Sequence, residues 1–206
     1  MNQGILFIIS APSGAGKSSI IQALLKMPQL NLTKLAVSHT TRKKRPGEIN
    51  GSDYYFISNE AFQRMIQQGL FIEYAEIFGS FYGTSHVTIN ELLSSRINIL
   101  LDINWQGAQQ IRKKIPLARS IYILPPSKIE LTKRLYCRGQ DSHESIENRI
   151  KEAVNEMKHY LEYEYLIINN NYDLAIMELN TIIKAENLKM QVQILRNKKI
   201  INDLLK

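Results

Sequence analysis

Residues 5 to 18, Ile5-Leu-Phe-Ile-Ile-Ser-Ala-Pro-Ser-Gly-Ala-Gly-Lys-Ser18, decide the fold. Ile5 to Ile9 is a continuous apolar run, the pattern of a short strand buried on both faces of a parallel sheet. A turn containing Gly14 and Gly16 follows. From Ser18 to Lys26 the apolar residues Ile20, Ile21, Leu24 and Leu25 recur at helical spacing, and Pro28 marks the end. Strand, glycine turn and helix in that order open a doubly wound α/β sheet. The turn, Ala11-Pro12-Ser13-Gly14-Ala15-Gly16-Lys17-Ser18, fits G-x-x-x-x-G-K-[ST] except at its first position, where Ala11 stands. Its glycines allow successive N–H groups to face an anion, and the helix start adds its positive dipole end. Lys17 reaches β- and γ-phosphates, and the Ser18 hydroxyl is a ligand for Mg²⁺. The flanking strand and helix are the context that phosphate binding requires, so a glycine turn that binds nothing is the weaker reading. The segment implies a nucleoside triphosphate.

Outward from this segment, Ile97 to Ile103 and Arg119 to Leu124 are two more β-like runs. Each leads into a helical stretch, about Ala108 to Lys114 and Ser127 to Arg138. A long helix is expected from about Ser142 to Glu162, a last core strand at Tyr165 to Ile168, and two closing helices. The final one carries Val192, Leu195, Ile200 and Leu204 on a stripe read as a packing face, a homo-oligomer contact being the minority alternative. Residues from Val37 to Ser95 are richer in Thr, Gly, Tyr and charge and read as a small α/β insert. The 206 residues then form a single domain, 1–206, with a core of 1–37 and 96–206 and an insert of about 38–95.

The net charge of +7 admits nucleic acid or small polyanions as ligands and does not separate them. No groove-reading or RNA-stacking motif is present, so nucleic acid is not expected. The lone Cys137 excludes an internal disulfide and offers no zinc spacing. The N-terminus lacks signal-peptide organisation, and its longest apolar run, Ile5 to Ile9, is too short for a bilayer. No membrane association is expected, and the cytoplasm is the expected compartment.

The insert contains Ser38-His-Thr-Thr-Arg42-Lys-Lys-Arg45-Pro-Gly-Glu-Ile-Asn-Gly51-Ser-Asp-Tyr54-Tyr-Phe56, followed by Phe71-Ile-Glu73 and Tyr82-Gly-Thr84. Taken alone it is a basic loop dense in phosphate donors. The pattern S-x-T-T-R-x-x-R-x-G-E-x-x-G-x-D-Y-x-F, with F-I-E and Y-G-[ST], resembles the GMP-binding module of guanylate kinases. Leu101 to Gly107 (L-D-I-x-W-Q-G) and Arg134 to Gly139 (R-x-x-x-R-G) extend the resemblance over nearly the whole chain. It implies a P-loop kinase fold: a parallel-sheet core with helices on both faces, the GMP-binding insert, and a lid at about 134–149. It also implies ATP-dependent phosphorylation of GMP to GDP with Mg²⁺, in purine nucleotide metabolism, with ATP and GMP as the partners.

Chemistry supports the transfer of roles. Guanine presents N1–H and N2–H donors beside an O6 acceptor, so it calls for a carboxylate next to hydroxyls. Glu73 takes both donors, and Ser38 and Thr84 donate to O6 or N7. By resemblance Arg42, Arg45, Tyr54 and Tyr82 hold the GMP phosphate, as suits the planar fork of arginine. Asp102, at the end of the Ile97–Ile103 run, engages the acceptor site or waters around Mg²⁺. Lys17 with Arg138 and Arg149 are the catalytic candidates, and Arg134 packs near the adenine. The family usually has a second aspartate where Asn104 stands, and a more acidic turn in place of Asn169-Asn-Asn171. His39, His86, His143 and His159 show no metal spacing and read as surface or capping residues, and Trp105 as a packing residue.

Two rivals remain from these residues. A non-catalytic guanylate-kinase-like interaction domain would lack the intact Gly16-Lys17-Ser18, and a kinase for another nucleoside monophosphate would have no use for Glu73 beside Ser38 and Thr84.

Overall fold

The computed structural model describes residues 4–30, 32–137 and 143–206. In chain order the elements are β1 (Leu6–Ser10), α1 (Lys17–Leu25), β2 (Thr33–Leu35), β3 (His39–Thr40), β4 (Tyr55–Phe56), α2 (Asn59–Gln67), β5 (Phe71–Ile77), β6 (Ser80–Ser85) and α3 (His86–Ser94). They continue with β7 (Asn98–Asp102), α4 (Trp105–Lys114), β8 (Arg119–Leu124), α5 (Lys128–Cys137), α6 (His143–Met157), β9 (Tyr165–Ile168), α7 (Tyr172–Leu188), α8 (Met190–Arg196) and α9 (Lys198–Leu204). The core sheet has the order β2-β7-β1-β8-β9, and every pairing in it is parallel.

Alternation along β1 builds a core on both faces of that sheet. Phe7 and Ile9 pack with Ile20, Ile21 and Leu24 of α1 and with Ala175, Leu179 and Ile183 of α7. Leu6 and Ile8 turn the other way, onto Ile89 of α3 and Ala108 and Ile111 of α4. All of β1 is buried, which is why it reads as an unbroken apolar run. A second sheet, β4-β3-β6-β5, lies between β2 and β7 in sequence, and β5 and β6 form its antiparallel hairpin. The carboxyl ends of β1 and β7 therefore face this smaller sheet across a cleft.

Several elements differ from the sequence reading. The three-residue β2 pairs with β7 along the sheet edge and was not anticipated. The expected helix from Ser142 to Glu162 ends at Met157, and Lys158–Glu162 tighten into a 3-10 turn. There His159 stacks on Trp105 with ring centroids 3.6 Å apart, and Glu162 accepts from Arg112 and Gln109 of α4. His159 is thus a packing residue, as is His39, which stacks on Tyr55. Three helices, not two, close the described chain, because Lys189 is extended (φ −55°, ψ 138°) and breaks the first. Of the stripe expected to pack, Val192 is half-buried, but Leu195, Ile200 and Leu204 are 46%, 59% and 78% exposed.

Candidate active site

The cleft between the two sheets has a volume of about 620 Å³. Ala11, Pro12, Ser13, Gly14, Gly16, Lys17 and Ser18 line one side of it, and Ser38, Arg45, Tyr54, Glu73 and Tyr82 line the other. Asp102, Ile103, Asn104, Phe78, Arg134, Arg149 and Glu156 are also on the wall.

The phosphate loop takes its shape from β1 ending at Ser10 and α1 beginning at Lys17. Gly16 is the helix N-cap, in the left-handed region at φ +93°, with no side-chain cap. A Cβ there would be 2.5 Å from Asn169 Nδ2, so the position is closed to other residues on grounds of both conformation and space. Asn169, 3% exposed, donates to the Ala15 carbonyl at 2.7 Å and ties the loop to the end of β9. Arg134 donates to the Ala15 and Asn169 carbonyls at 3.4 and 3.2 Å and is paired with Glu130 at 2.9 Å. Ala15, fully buried, serves the loop through that carbonyl, while Ala11 stands on the cleft wall.

Lys17 Nζ lies 2.5 Å from Asp102 Oδ1 and donates to the Ile103 carbonyl at 3.1 Å. Ser18 Oγ donates to the other carboxylate oxygen of Asp102 at 2.9 Å. Asp102 is placed so because β7 pairs with β1 in the register Ile9↔Asp102, which brings its carboxylate to the start of α1. Asp102 therefore touches the phosphate loop directly and shares the cleft with the residues read as an acceptor site. Asn104, the departure from the expected aspartate, caps α4, its Oδ1 accepting from Gly107 N at 3.0 Å.

On the opposite wall, β5 and β6 pair Glu73 with Thr84. Thr84 Oγ1 donates to Glu73 Oε1 at 2.5 Å, and Ser38 Oγ lies 3.0 Å from Thr84 Oγ1. Because the Thr84 proton is committed to the carboxylate, Ser38 is the donor in the second bond. Burial pushes the Glu73 carboxyl up to about 7, against the Thr84 hydroxyl and N–H and the charges of Lys114 and Lys17. Burial, with Asp102 and Tyr82 nearby, also pushes the Tyr54 phenol up. Arg42 sits behind this wall in a forked pair with Glu48 (2.7 and 3.1 Å), its guanidinium 5.6 Å from the Tyr54 ring centre. Tyr54 and Tyr82 meet edge to face at 5.9 Å. Ser38, Arg45, Tyr54, Glu73 and Tyr82 converge on the cleft, and Arg42 and Thr84 back them.

Arg149, on α6, holds its guanidinium 5.5 Å from the ring centre of Phe78 at the β5–β6 turn. Arg138 and residues 139–142 lie outside the described residues. Two residues of the lining, Glu156 and Phe78, had no role in the sequence reading. Glu156 accepts from Ser13 N at 3.1 Å, and burial raises its carboxyl despite that bond and Lys17; nothing in a mid-helix glutamate signals this. Phe78 carried no signal either. Asn169 was read only as part of a turn that departs from the family; its tie to Ala15 could have been expected, since it directly follows a core strand at the sheet's carboxyl edge, where ligands of this fold class bind.

A sequence model described as guanylate kinase matches residues 3–186. The guanylate kinases of Salmonella typhimurium and of Escherichia coli K12 are each 56% identical over 205 residues, covering 100% of this chain and 99% of theirs. A crystal structure of guanylate kinase from Anaplasma phagocytophilum superposes with a TM-score of 0.78 at 30% identity, over 97% of both chains. The SH3-kinase fragment of tight junction protein 3 shares the fold alone, at 12% identity and a TM-score of 0.51. With motif, fold, cleft and relatives in agreement over the chain's length, this protein belongs to the guanylate kinase family.

Proposed function

We propose that the cleft seats ATP along Ala11–Ser18 and GMP against Glu73, and that its two walls align the reacting phosphates. The chain's reaction is its family's, ATP-dependent phosphorylation of GMP to GDP. A GMP phosphate oxygen attacks the γ-phosphorus as the bond to the ADP oxygen breaks. Such transfer needs positioning and charge cancellation more than covalent help. The observation that carries the substrate assignment is the Ser38–Thr84–Glu73 chain facing Lys17 and Ser18 across one cleft.

Guanine N1–H and N2–H would take over the donation that Thr84 makes to Glu73, freeing the Thr84 and Ser38 hydroxyls for O6. Adenine would set its unprotonated N1 against the carboxylate and leave buried polar groups unpaired. Arg45, Tyr54 and Tyr82, with Arg42 behind them, suit the GMP phosphate. Lys17 exchanges Asp102 for β- and γ-phosphate oxygens, and Arg149 and Arg138 are proposed to neutralise the moving group. Arg134, held by Ala15 and Asn169, borders the adenine side.

Ser18 and Asp102 fit Mg²⁺: both offer hard oxygen beside the phosphate loop. When bound, the ion neutralises charge on the triphosphate. No helix among the described residues is long and apolar enough to cross a membrane. Because both nucleotides are pools of the cell interior, the cytoplasm is the proposed compartment.

The test is turnover of GMP, AMP, CMP and UMP by purified protein with ATP and Mg²⁺. The expected kcat/KM for GMP exceeds the others by roughly 10⁴-fold, the discrimination typical of sites built on hydrogen bonds. Comparable values for two bases would overturn the guanine assignment.

A further inference from the structure

β5 is irregular where it carries Glu73. Its pairing with β6 shifts register between Phe71 and Glu73, leaving Ile72 as an extra residue. Such a bulge re-aims a side chain and frees ladder groups that need other partners. Helix α4 supplies them. Lys114 Nζ donates to the Ile72 carbonyl at 2.5 Å. Gln110 Nε2 donates to the Tyr74 carbonyl at 2.7 Å, while its Oε1 accepts from Tyr74 N at 3.2 Å. One turn nearer the cap, a Cβ on Gly107 would overlap Glu73 Oε2 and press on its carboxyl carbon.

Gly107, Gln110 and Lys114 are spaced by three and four residues and so share one face of α4. That face grips the backbone on both sides of Glu73 and closes over its carboxylate. The helix itself is anchored by Asn104, two residues after the Asp102 that holds Lys17.

We infer that Gly107, Gln110 and Lys114 form a positioning face that aims the Glu73 carboxylate and thereby sets guanine selectivity. None of the three is a catalytic residue; each acts through Glu73. The inference rests on the reading of Glu73 as the guanine acceptor. Gly107 is the most informative member. Alanine favours a helix over glycine, so a purely structural role predicts an unchanged or firmer helix on substitution. A positioning role predicts a displaced carboxylate.

Steady-state kinetics of Gly107→Ala, Lys114→Met and Gln110→Leu, each against GMP and IMP, decide the matter. IMP lacks the 2-amino group and so reports the N2–H contact. Gly107→Ala is expected to raise KM for GMP by about tenfold or more, the scale of a small misplacement. KM for ATP should hold, and the preference for GMP over IMP should narrow. Lys114→Met should move in the same direction, and Lys114→Arg should restore wild-type values. Should Gly107→Ala fail to fold by circular dichroism, the Lys114 pair and Gln110→Leu carry the test. Unchanged KM for GMP in Gly107→Ala and Lys114→Met, beside a raised value in Glu73→Gln, overturns the inference and leaves the acceptor reading standing. Equal losses for ATP and GMP overturn it as well. Unchanged base selectivity in Glu73→Gln overturns the acceptor reading itself.

Discussion

Glu73 is 3% exposed, and burial pushes its carboxyl up to about 7. Its folded value thus lies above the ordinary glutamate value of 4.5. Its contribution to stability is fully present below pH 4.5 and is lost as pH rises through about 7. At pH 8 the folded protein carries the whole cost of an ionised buried group, on the order of 3 kcal/mol. Glu73→Gln should therefore raise the melting temperature at pH 8 by several degrees, and the gain should shrink toward pH 5. Activity should respond oppositely. A protonated carboxyl accepts one guanine donor poorly, so KM for GMP in the wild type should rise as pH falls below about 7. The phosphate of GMP also titrates, near pH 6, and that part should persist in Glu73→Gln. An identical pH profile for the two proteins would remove Glu73 from guanine binding.

The β5–β6 hairpin closes on a two-residue turn, Phe78 at φ +49° and Gly79 at φ +70°, between the paired Ile77 and Ser80. Such turns favour Asn-Gly, and a non-glycine L residue in the left-handed region costs about 1 to 2 kcal/mol. Phe78 is 53% exposed, so burial offsets little of this, while its ring lies under Arg149. Phe78→Asn should stabilise the fold by about 1 kcal/mol in chemical denaturation and lower kcat severalfold. A stabilised variant with full kcat would reduce Phe78 to turn filler. Strands buried on both faces, Ile5 to Ile9 and Arg119 to Leu124, were legible in the sequence, and so was the half-exposed edge strand Tyr165 to Ile168, a four-residue apolar run. Thr33 to Leu35 did not, because an edge strand of three residues has too little length to show a period. The stripe at Leu195, Ile200 and Leu204 shows the converse, a periodic pattern with no partner inside the described fold. At the site, Lys17, Ser18 and Glu73 were readable because their motifs are local. Gly107 and Glu156 were not, since the partners that give them meaning lie 34 and 143 residues away in the chain.

At the scale of the molecule, the two walls proposed to seat ATP and GMP stand beside different sheets joined around one cleft. A compound linking adenosine to guanosine through a polyphosphate would span both walls and stabilise the protein beyond either nucleotide alone. At 100 times its dissociation constant it should add about 2.7 kcal/mol, measured as a thermal shift. In Glu73→Gln the shift should fall to that of ATP at the same concentration. A shift no larger than that of ATP would mean that the two walls bind independently.

The position of β1 bears on how the chain is made. It is the central strand, fully buried, and its neighbours are β7 and β8. Phe7 pairs with Leu100 on one side and with Arg119 on the other. A ribosome therefore makes Phe7 93 residues before Leu100 and 112 residues before Arg119, leaving a hydrophobic ribbon unpaired in the interval. Long-range parallel pairing of this kind is slow and exposed to aggregation. Slowing elongation across β7 should lengthen that exposure, so the yield of active enzyme should depend on codon choice and chaperone supply more than on the stability of the finished fold.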